Sequence, residues 1–596
     1  MIFLYIFSFI FVFSAATKNV CQTDECKKLG DTMVSLMNDS ISPCDDFYES
    51  VCAKTKLSYG STLFEEMYNN IDQLEEIMKT FQPETSNQKV ALVALQKCVN
   101  DTQGDPNTFM KEFWEDENND LTTLIIELSK MNPESNGLFQ FLMNVEEKDG
   151  IKRIKYFLDP VIVKVANSFV PWKLIAESVK FMNVTEFVYQ LLPEGSRSYD
   201  AFDDSLVLAQ DFNKIDEKIT QLGDKKVREI LRNQWLKELN KRYIEKHTLT
   251  ACLQEHVRHA FPGTSATIFL NKTIFKPENV ERAKTMFKSI QSEMSAIILE
   301  NEWIDEEMKT KMIEKIDAVS VFMGIPSIHE NQTALNTMYD RILNNSDINK
   351  LSYLEILRNL AKMNMEETFL RVSRGETVTF LDSPMIANAN YFSFSHGITV
   401  GYFFLAYPFL DYNLPEWSIL ASYSFVVAHE VSHMFGPKDV LIGRDAHQNT
   451  IQLSENFQRE YEKRKQCLIK QYSTFQYPGF DDYLNGENTV SENFADILAS
   501  KVVHRLFRKH ITTENNQESL PGLEKFTIEQ QFFQRAAHVW CSNDADKETI
   551  DEYKNRVHSP NMFRVRGMTL NSPVFGEIFG CPVGSPMNPK DKCDTF

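Results

Sequence analysis

Ten cysteines constrain this chain more than any other feature: Cys21, Cys26, Cys44, Cys52, Cys98, Cys252, Cys467, Cys541, Cys581 and Cys593. All lie after the first 16 residues, MIFLYIFSFIFVFSAA, which carry no charged side chain, are apolar from Ile2 to Phe13 apart from Ser8, and end in small residues before Lys18. Residues 1–16 read as a secretory signal peptide cleaved near Ala16. As a membrane anchor the segment is short, since a helix of that length rises about 20–24 Å against a hydrocarbon core of roughly 30 Å. An even cysteine count in an exported chain argues for disulfides throughout. No CxxC pair is present, which disfavours a cysteine-rich metal site. Spacing alone does not give the pairing. Four cysteines lie before residue 60 and three after residue 540, so a bridge between these groups would fasten the two ends of the chain together.

The rest of the composition narrows the class. A net charge of −20 with no Lys/Arg-rich run argues against a nucleic-acid or anionic-membrane partner. With 43% apolar residues and 24% charged, disorder is excluded. Only 21 Gly and 21 Pro in 596 residues exclude collagenous and linker-like chains and favour long helices. At roughly 150 residues per domain, the length holds four small domains or two large lobes. No apolar run after the first reaches about 18 residues, so no further membrane span is expected. Six N-x-S/T sequons, at Asn38, Asn100, Asn183, Asn271, Asn331 and Asn344, mark surface positions of a glycoprotein. None falls in 350–596, which points to that stretch as the functional core.

Apolar residues three and four apart predict helix over Leu63–Phe81, through Pro160–His247, and as two long helices in 277–319. Residues 101–119 are polar, acidic and broken by Gly104 and Pro106, and read as a loop. Between Val378 and Leu410 the texture turns aromatic and alternating, as in ANANYFSFSHGITVGYFF, and predicts strands. The fold class expected is α+β and predominantly helical, with a helical lobe facing one that contains the strands.

The sharpest chemical signal is VVAHEVSHMFG. Four residues apart on a helix, His429 and His433 share one face and can bind one zinc, with Glu430 beside them to activate a metal-held water. The apolar run SILASYSFVVA before them suits a buried helix. One protein ligand is then missing. Asp439 fits a metzincin-like HExxHxxGxxD layout, with Gly436 at the turn. Glu492, 59 residues after His433 in SENFADILAS, has Asp496 four residues on, placing a ligand and an orienting carboxylate on one helical face. Spacing does not choose between them. Glu455 and Glu460 sit among charges in ENFQREYEKRK and read as a solvated face.

Several segments in order resemble the neprilysin and endothelin-converting-enzyme family of zinc endopeptidases: PCDDFYESVC at Pro43, NANY at Asn388, HEVSH at His429, LNGENTVSENFAD at Leu484, HVWC ending at Cys541, HSPNMFRVRG at His558 and CPVGSPMNPKDKC at the end. The likeness covers nearly all of the mature chain, strongly after about residue 280. It implies one Zn2+ per chain, held by His429, His433 and Glu492, with Glu430 as general base and Asp496 orienting a ligand imidazole. It also implies His558 as a donor to the oxyanion, Arg564 holding a substrate carbonyl, and Asn388 and Ala389 binding the substrate main chain as an added strand. Without the likeness, His558 and Arg564 read as a loop histidine and a surface ion pair. Phe404, Phe409, Phe425, Val426 and Trp540 match positions lining the pocket for the residue after the scissile bond, and so many rings lead us to expect a small side chain there. The disulfides implied are Cys21–Cys26, Cys44–Cys581, Cys52–Cys541, Cys98–Cys252 and Cys467–Cys593.

The resemblance also implies an architecture. A thermolysin-like catalytic lobe is formed by 17–65 and 271–596, and a helical lobe, 66–270, covers a central cavity that admits short peptides. The function expected is a secreted, extracellular endopeptidase cutting short peptides on the amino side of hydrophobic residues, with no membrane span after signal cleavage; the oligomeric state is not legible. The chain departs from the family pattern at Asn390, at Met434 to Pro437 and at Phe596, and no Arg stands near Tyr59. The alternative is therefore a related peptide-binding protein with little turnover. Retention of Glu430, which zinc binding does not need, favours the enzyme.

Overall fold

The computed structural model describes residues 19–58, 60–100, 120–131, 139–148, 151–160, 168–171, 179–191, 206–209, 212–242, 248–256, 261, 264–265, 268, 277–324, 332–345, 347–373, 386–393, 396–440, 453–511, 517–543 and 556–596. The apolar leader, the expected loop 101–119 and two sequons, Asn271 and Asn331, lie outside them. Asn100 and Asn183 are exposed and Asn38 is half-buried.

The first described helix, Asp24–Leu36, is capped by Thr23, whose hydroxyl accepts the Cys26 N–H, and it buries one stripe of Cys26, Leu29, Met33 and Leu36 at three- and four-residue spacing. Helix Phe47–Cys52 follows under an Asp46 cap, and Phe47 packs edge-on against Phe575 and Phe579 from the far end of the chain. The disulfides pair as Cys21–Cys26, Cys44–Cys581, Cys52–Cys541, Cys98–Cys252 and Cys467–Cys593. The N-terminal segment is thus built into the same core as the last 60 residues. Cys52 and Cys541 close a loop of 489 residues, so replacing both with Ala is expected to lower the unfolding free energy by about 2–5 kcal/mol. A denaturant titration of that variant against wild type under oxidising conditions measures the loss.

The helical reading of Pro160–His247 is correct for Val184–Leu191, Phe212–Leu222 and Asp224–Arg242, and wrong for Pro160, Ser168–Pro171 and Leu206–Ala209, which are strand. A four-stranded sheet stands there and upstream, made of β1 (Phe139–Lys148), β2 (Ile151–Pro160), β3 (Ser168–Pro171) and β4 (Leu206–Ala209) in the order β1-β2-β4-β3. β1 and β2 are antiparallel with Lys148 opposite Ile151, so Asp149 and Gly150 alone connect them. Asp-Gly between two alternating runs is a strong hairpin signal. In β1 apolar Phe139, Phe141, Met143 and Val145 alternate with Gln140, Leu142, Asn144 and Glu146, Leu142 alone breaking the pattern.

The part of the chain that carries the motif is built from long helices and a small sheet. Residues 277–319 form helices Pro277–Glu300 and Glu306–Asp317, the second capped by Asp305. β5 (Ser320–Met323), β6 (Ala389–Phe392) and β7 (Gly397–Val400) make a sheet ordered β5-β7-β6, in which β5 and β7 are parallel, β6 and β7 antiparallel, and β6 is an edge. The apolar run before the motif is helical, interrupted by a π turn at Leu420–Ser424, and leads into the motif helix Phe425–His433. Apolar on every side, this stretch is buried throughout, as such a helix must be. The carboxylate helix, Gly486–His510, packs along it, flanked by Glu455–Tyr472 and Asn561–Asn571. Gly567 permits the closest of these approaches, because a Cβ there would stand 1.7 Å from the Tyr472 hydroxyl. At its C-terminal end the carboxylate helix is tied to Pro277–Glu300 by Arg505 and Lys509, both paired with the buried Glu293. Among the described residues no helix is long and apolar enough to cross a membrane.

Candidate metal centre

One turn of the motif helix brings His429 and His433 together, with their Nε2 atoms 3.0 Å apart. Glu492, from the carboxylate helix, places Oε2 3.2 Å from the first and 3.4 Å from the second. This oxygen is buried and has no hydrogen-bond partner. Three donor atoms within 4.8 Å of one another, one of them an orphaned carboxylate oxygen, fit a cation held in common. Two imidazoles, a carboxylate and an open fourth position are the donor set of a catalytic zinc. Burial opposes ionisation of Glu492, but His429 and His433 outweigh it and hold the carboxyl well below its ordinary range.

Asp496, one turn beyond Glu492, fixes the first imidazole. Its Oδ1 lies 2.8 Å from His429 Nδ1, so that nitrogen donates to it and Nε2 keeps the lone pair that faces Glu492. The same carboxylate accepts from Arg564, Nε at 2.8 Å and Nη2 at 2.7 Å. Asp496 has no exposed surface, and Arg564 is buried with its guanidinium 3.8 Å from the Trp540 ring. Burial works to raise the Asp496 pKa, while Arg564 and His429 bring it down to about 2. The surface ion pair that Arg564 suggests without the likeness does not describe this arrangement. Both groups are interior and bidentate.

Glu430 is buried and held by the edge strand. Its Oε2 accepts the Tyr391 N–H from the edge strand at 2.7 Å. Burial raises its pKa, and the neighbouring imidazoles pull it partway back. His558 stands at the solvent side with Nε2 3.2 Å from Glu492 Oε2 and its side chain 57% exposed. The residue after it is pinned inside, where Ser559 Oγ donates to Asn493 Oδ1 at 2.7 Å. Just before β6, Asn388 is exposed and its carbonyl accepts the Gly401 N–H. Main-chain groups alternate along a strand, so Ala389 and Tyr391 turn theirs away from β7, toward the motif helix.

The five pocket positions fall into two groups. Phe404 meets Phe409 at 4.7 Å and Tyr423 at 5.6 Å, whereas Phe425 meets Trp540 edge-on at 6.1 Å beside Arg564. Val426 follows Phe425 on the motif helix, and all five are buried. Asp439 lies in a separate short helix, Pro437–Val440.

The profile of peptidase family M13 matches residues 388–595, and a second profile of the same family matches 209–326, together more than half of the chain. The chain belongs to peptidase family M13. Neprilysin-11 of Caenorhabditis elegans is 26% identical over 321 residues, which are 54% of this chain and 37% of that protein. Measured this way, the matched part spans less than half the length of the curated relatives. Two solved structures share the fold. The Haemonchus galactose containing glycoprotein complex superposes with a TM-score of 0.76 at 17% identity, covering 97% of this chain and 100% of that one. A zinc metalloprotease of Mycobacterium tuberculosis, crystallised with an inhibitor, gives 0.71 at 12% identity over 94% and 98%.

Within this M13 chain, several site contacts join residues whose pairing the sequence does not show. Tyr391 reaches Glu430 through its backbone N–H, which any residue but proline could offer. Asn493 and Ser559 each adjoin a named residue, Glu492 and His558, yet their pairing joins positions 66 apart. The Trp540 face on Arg564 likewise appears only once the helices are packed.

Proposed function

We propose that the chain is a secreted zinc endopeptidase, binding one zinc, that cuts short extracellular peptides on the amino side of hydrophobic residues. The observation that carries this reading is the convergence of His429 Nε2, His433 Nε2 and Glu492 Oε2 beside a buried carboxylate that is not a ligand. Zinc in such a site lowers the pKa of water toward neutrality and polarises a carbonyl.

The protein's own groups do the rest. Tyr391 occupies one oxygen of Glu430, leaving the other to take the proton of the attacking water and return it to the departing amine. His558, exposed beside Glu492, offers an N–H to the oxygen on which charge develops. Ala389, on the free edge, presents N–H and C=O groups to an extended peptide, with Asn388 beside it. Arg564 is fixed by Asp496 in the plane that a substrate carbonyl would meet, over Trp540. Phe425, Val426 and Trp540 wall the adjoining space with apolar surface, and Phe404 and Phe409 back it from the core.

The test measures zinc by mass spectrometry and cleavage on a quenched peptide set with Phe, Leu or Ala after the scissile bond. Wild type should carry one zinc and lose cleavage on chelation, and Glu492→Ala should lose the metal. Leu and Ala should be preferred to Phe. A Glu492→Ala protein with full zinc would overturn the ligand set, and zinc-loaded wild type that cleaves nothing would leave a peptide-binding protein.

A further inference from the structure

We propose that His396 is a positioning residue for Glu430, acting through Tyr391; this deepens the peptidase reading and rests on it. Glu430 and Met434 are one turn apart on the motif helix, and a ring of hydrogen bonds leaves that helix at one of them and returns at the other. The Tyr391 N–H donates to Glu430 Oε2 at 2.7 Å, and the hydroxyl of the same tyrosine lies 3.1 Å from His396 Nδ1. His396 Nε2 lies 2.7 Å from the Lys315 carbonyl, and Lys315 Nζ donates to the Met434 carbonyl at 3.1 Å.

The chemistry of these partners sets the direction of every bond. A carbonyl can only accept, so Nε2 carries a proton, and in the neutral imidazole Nδ1 accepts from the phenol. Lys315 caps the C-terminal end of the motif helix with its ammonium group while its own carbonyl, in the last turn of Glu306–Asp317, is capped by His396. His396 and Lys315 are both buried, at 5% and 6% exposure, so water does not compete for the His396–Lys315 and Lys315–Met434 bonds.

The backbone of His396 gives a second, independent observation. Its φ is +47°, the only left-handed value at a non-glycine residue among those described, although a glycine stands at the next position. A side chain retained where the backbone disfavours one points to a use for that side chain. Its main-chain pairing does not depend on the imidazole, since its carbonyl accepts the Ser320 N–H. The ring therefore adds something the sheet alone does not supply. It locks the rotation of the Tyr391 peptide, and with it the oxygen of Glu430 that must face the water.

The test compares wild type with Tyr391→Phe, His396→Asn and the double variant. Phe keeps the backbone N–H and loses only the hydroxyl. Asn tolerates the left-handed backbone but is too short to span Tyr391 and Lys315. Each single variant should lower kcat about tenfold, with KM within about twofold and zinc content unchanged, and the double should be no lower than the singles, because both cut one chain. Unchanged kcat in Tyr391→Phe, losses that multiply in the double, or a rise in KM alone would each overturn the proposal. Should His396→Asn fail to fold, Tyr391→Phe decides by itself. Should wild type cleave nothing, the peptidase reading falls, and hydrogen exchange of the Tyr391 amide decides the ring: faster exchange in the variants supports it, equal exchange refutes it.

Discussion

Glu430→Gln is expected to keep its zinc and to lose peptide cleavage by about 10²–10⁴-fold, the range ascribed to general acid–base catalysis. The amide has nearly the volume of the carboxylate, and its oxygen can still accept the Tyr391 N–H, so the helix and the edge strand stay as they are. The proposed metal donors, His429, His433 and Glu492, are not altered. What is removed is only the capacity to take a proton. Burial already raises the pKa of Glu430, which makes it a better base than an exposed carboxylate. The decisive measurement is kcat/KM on a quenched peptide together with zinc stoichiometry in the same preparations. Equal zinc and equal cleavage in wild type and variant would mean that Glu430 is not the base.

The sequence is legible here where chemistry is written in local spacing and opaque where packing decides. His429 and His433 declare themselves because a helix puts residues four apart on one face. Glu492 and Asp439 were equivalent by spacing; resemblance favoured Glu492, and in the structure its Oε2 meets both imidazoles. The five disulfides follow the resemblance, since spacing alone permits many pairings. The hairpin of β1 and β2 carries a readable Asp149-Gly150 signal, just before the span whose periodicity predicts helix. Resemblance names Arg564, but its buried pairing with Asp496 is not written in local spacing. An arginine among NMFRVRG looks like a surface residue until the carboxylate helix supplies Asp496 from 68 positions away.

That buried pair carries the second large effect. Asp496→Ala leaves the Arg564 guanidinium inside the protein without its carboxylate, and breaking a buried pair in this way costs about 3–5 kcal/mol. It also releases His429 Nδ1, and loss of an orienting carboxylate weakens zinc about 10–100-fold. The two losses separate in a double variant. Arg564→Met in the Asp496→Ala background removes the stranded charge and keeps apolar contact with Trp540, so stability should return to within about 1–2 kcal/mol of wild type while zinc affinity stays low. Denaturant unfolding of the chelated proteins and a competition titration of zinc measure the two quantities apart. Acid should reproduce the first effect. The folded Asp496 pKa of about 2 is below its unfolded value near 4, so the pair stabilises fully above pH of about 4 and loses its contribution as pH falls toward 2. Asp496→Ala/Arg564→Met should lack that component of acid sensitivity. If it instead remains as unstable as Asp496→Ala, the cost lies in the cavity left by the carboxylate and not in the unpaired charge.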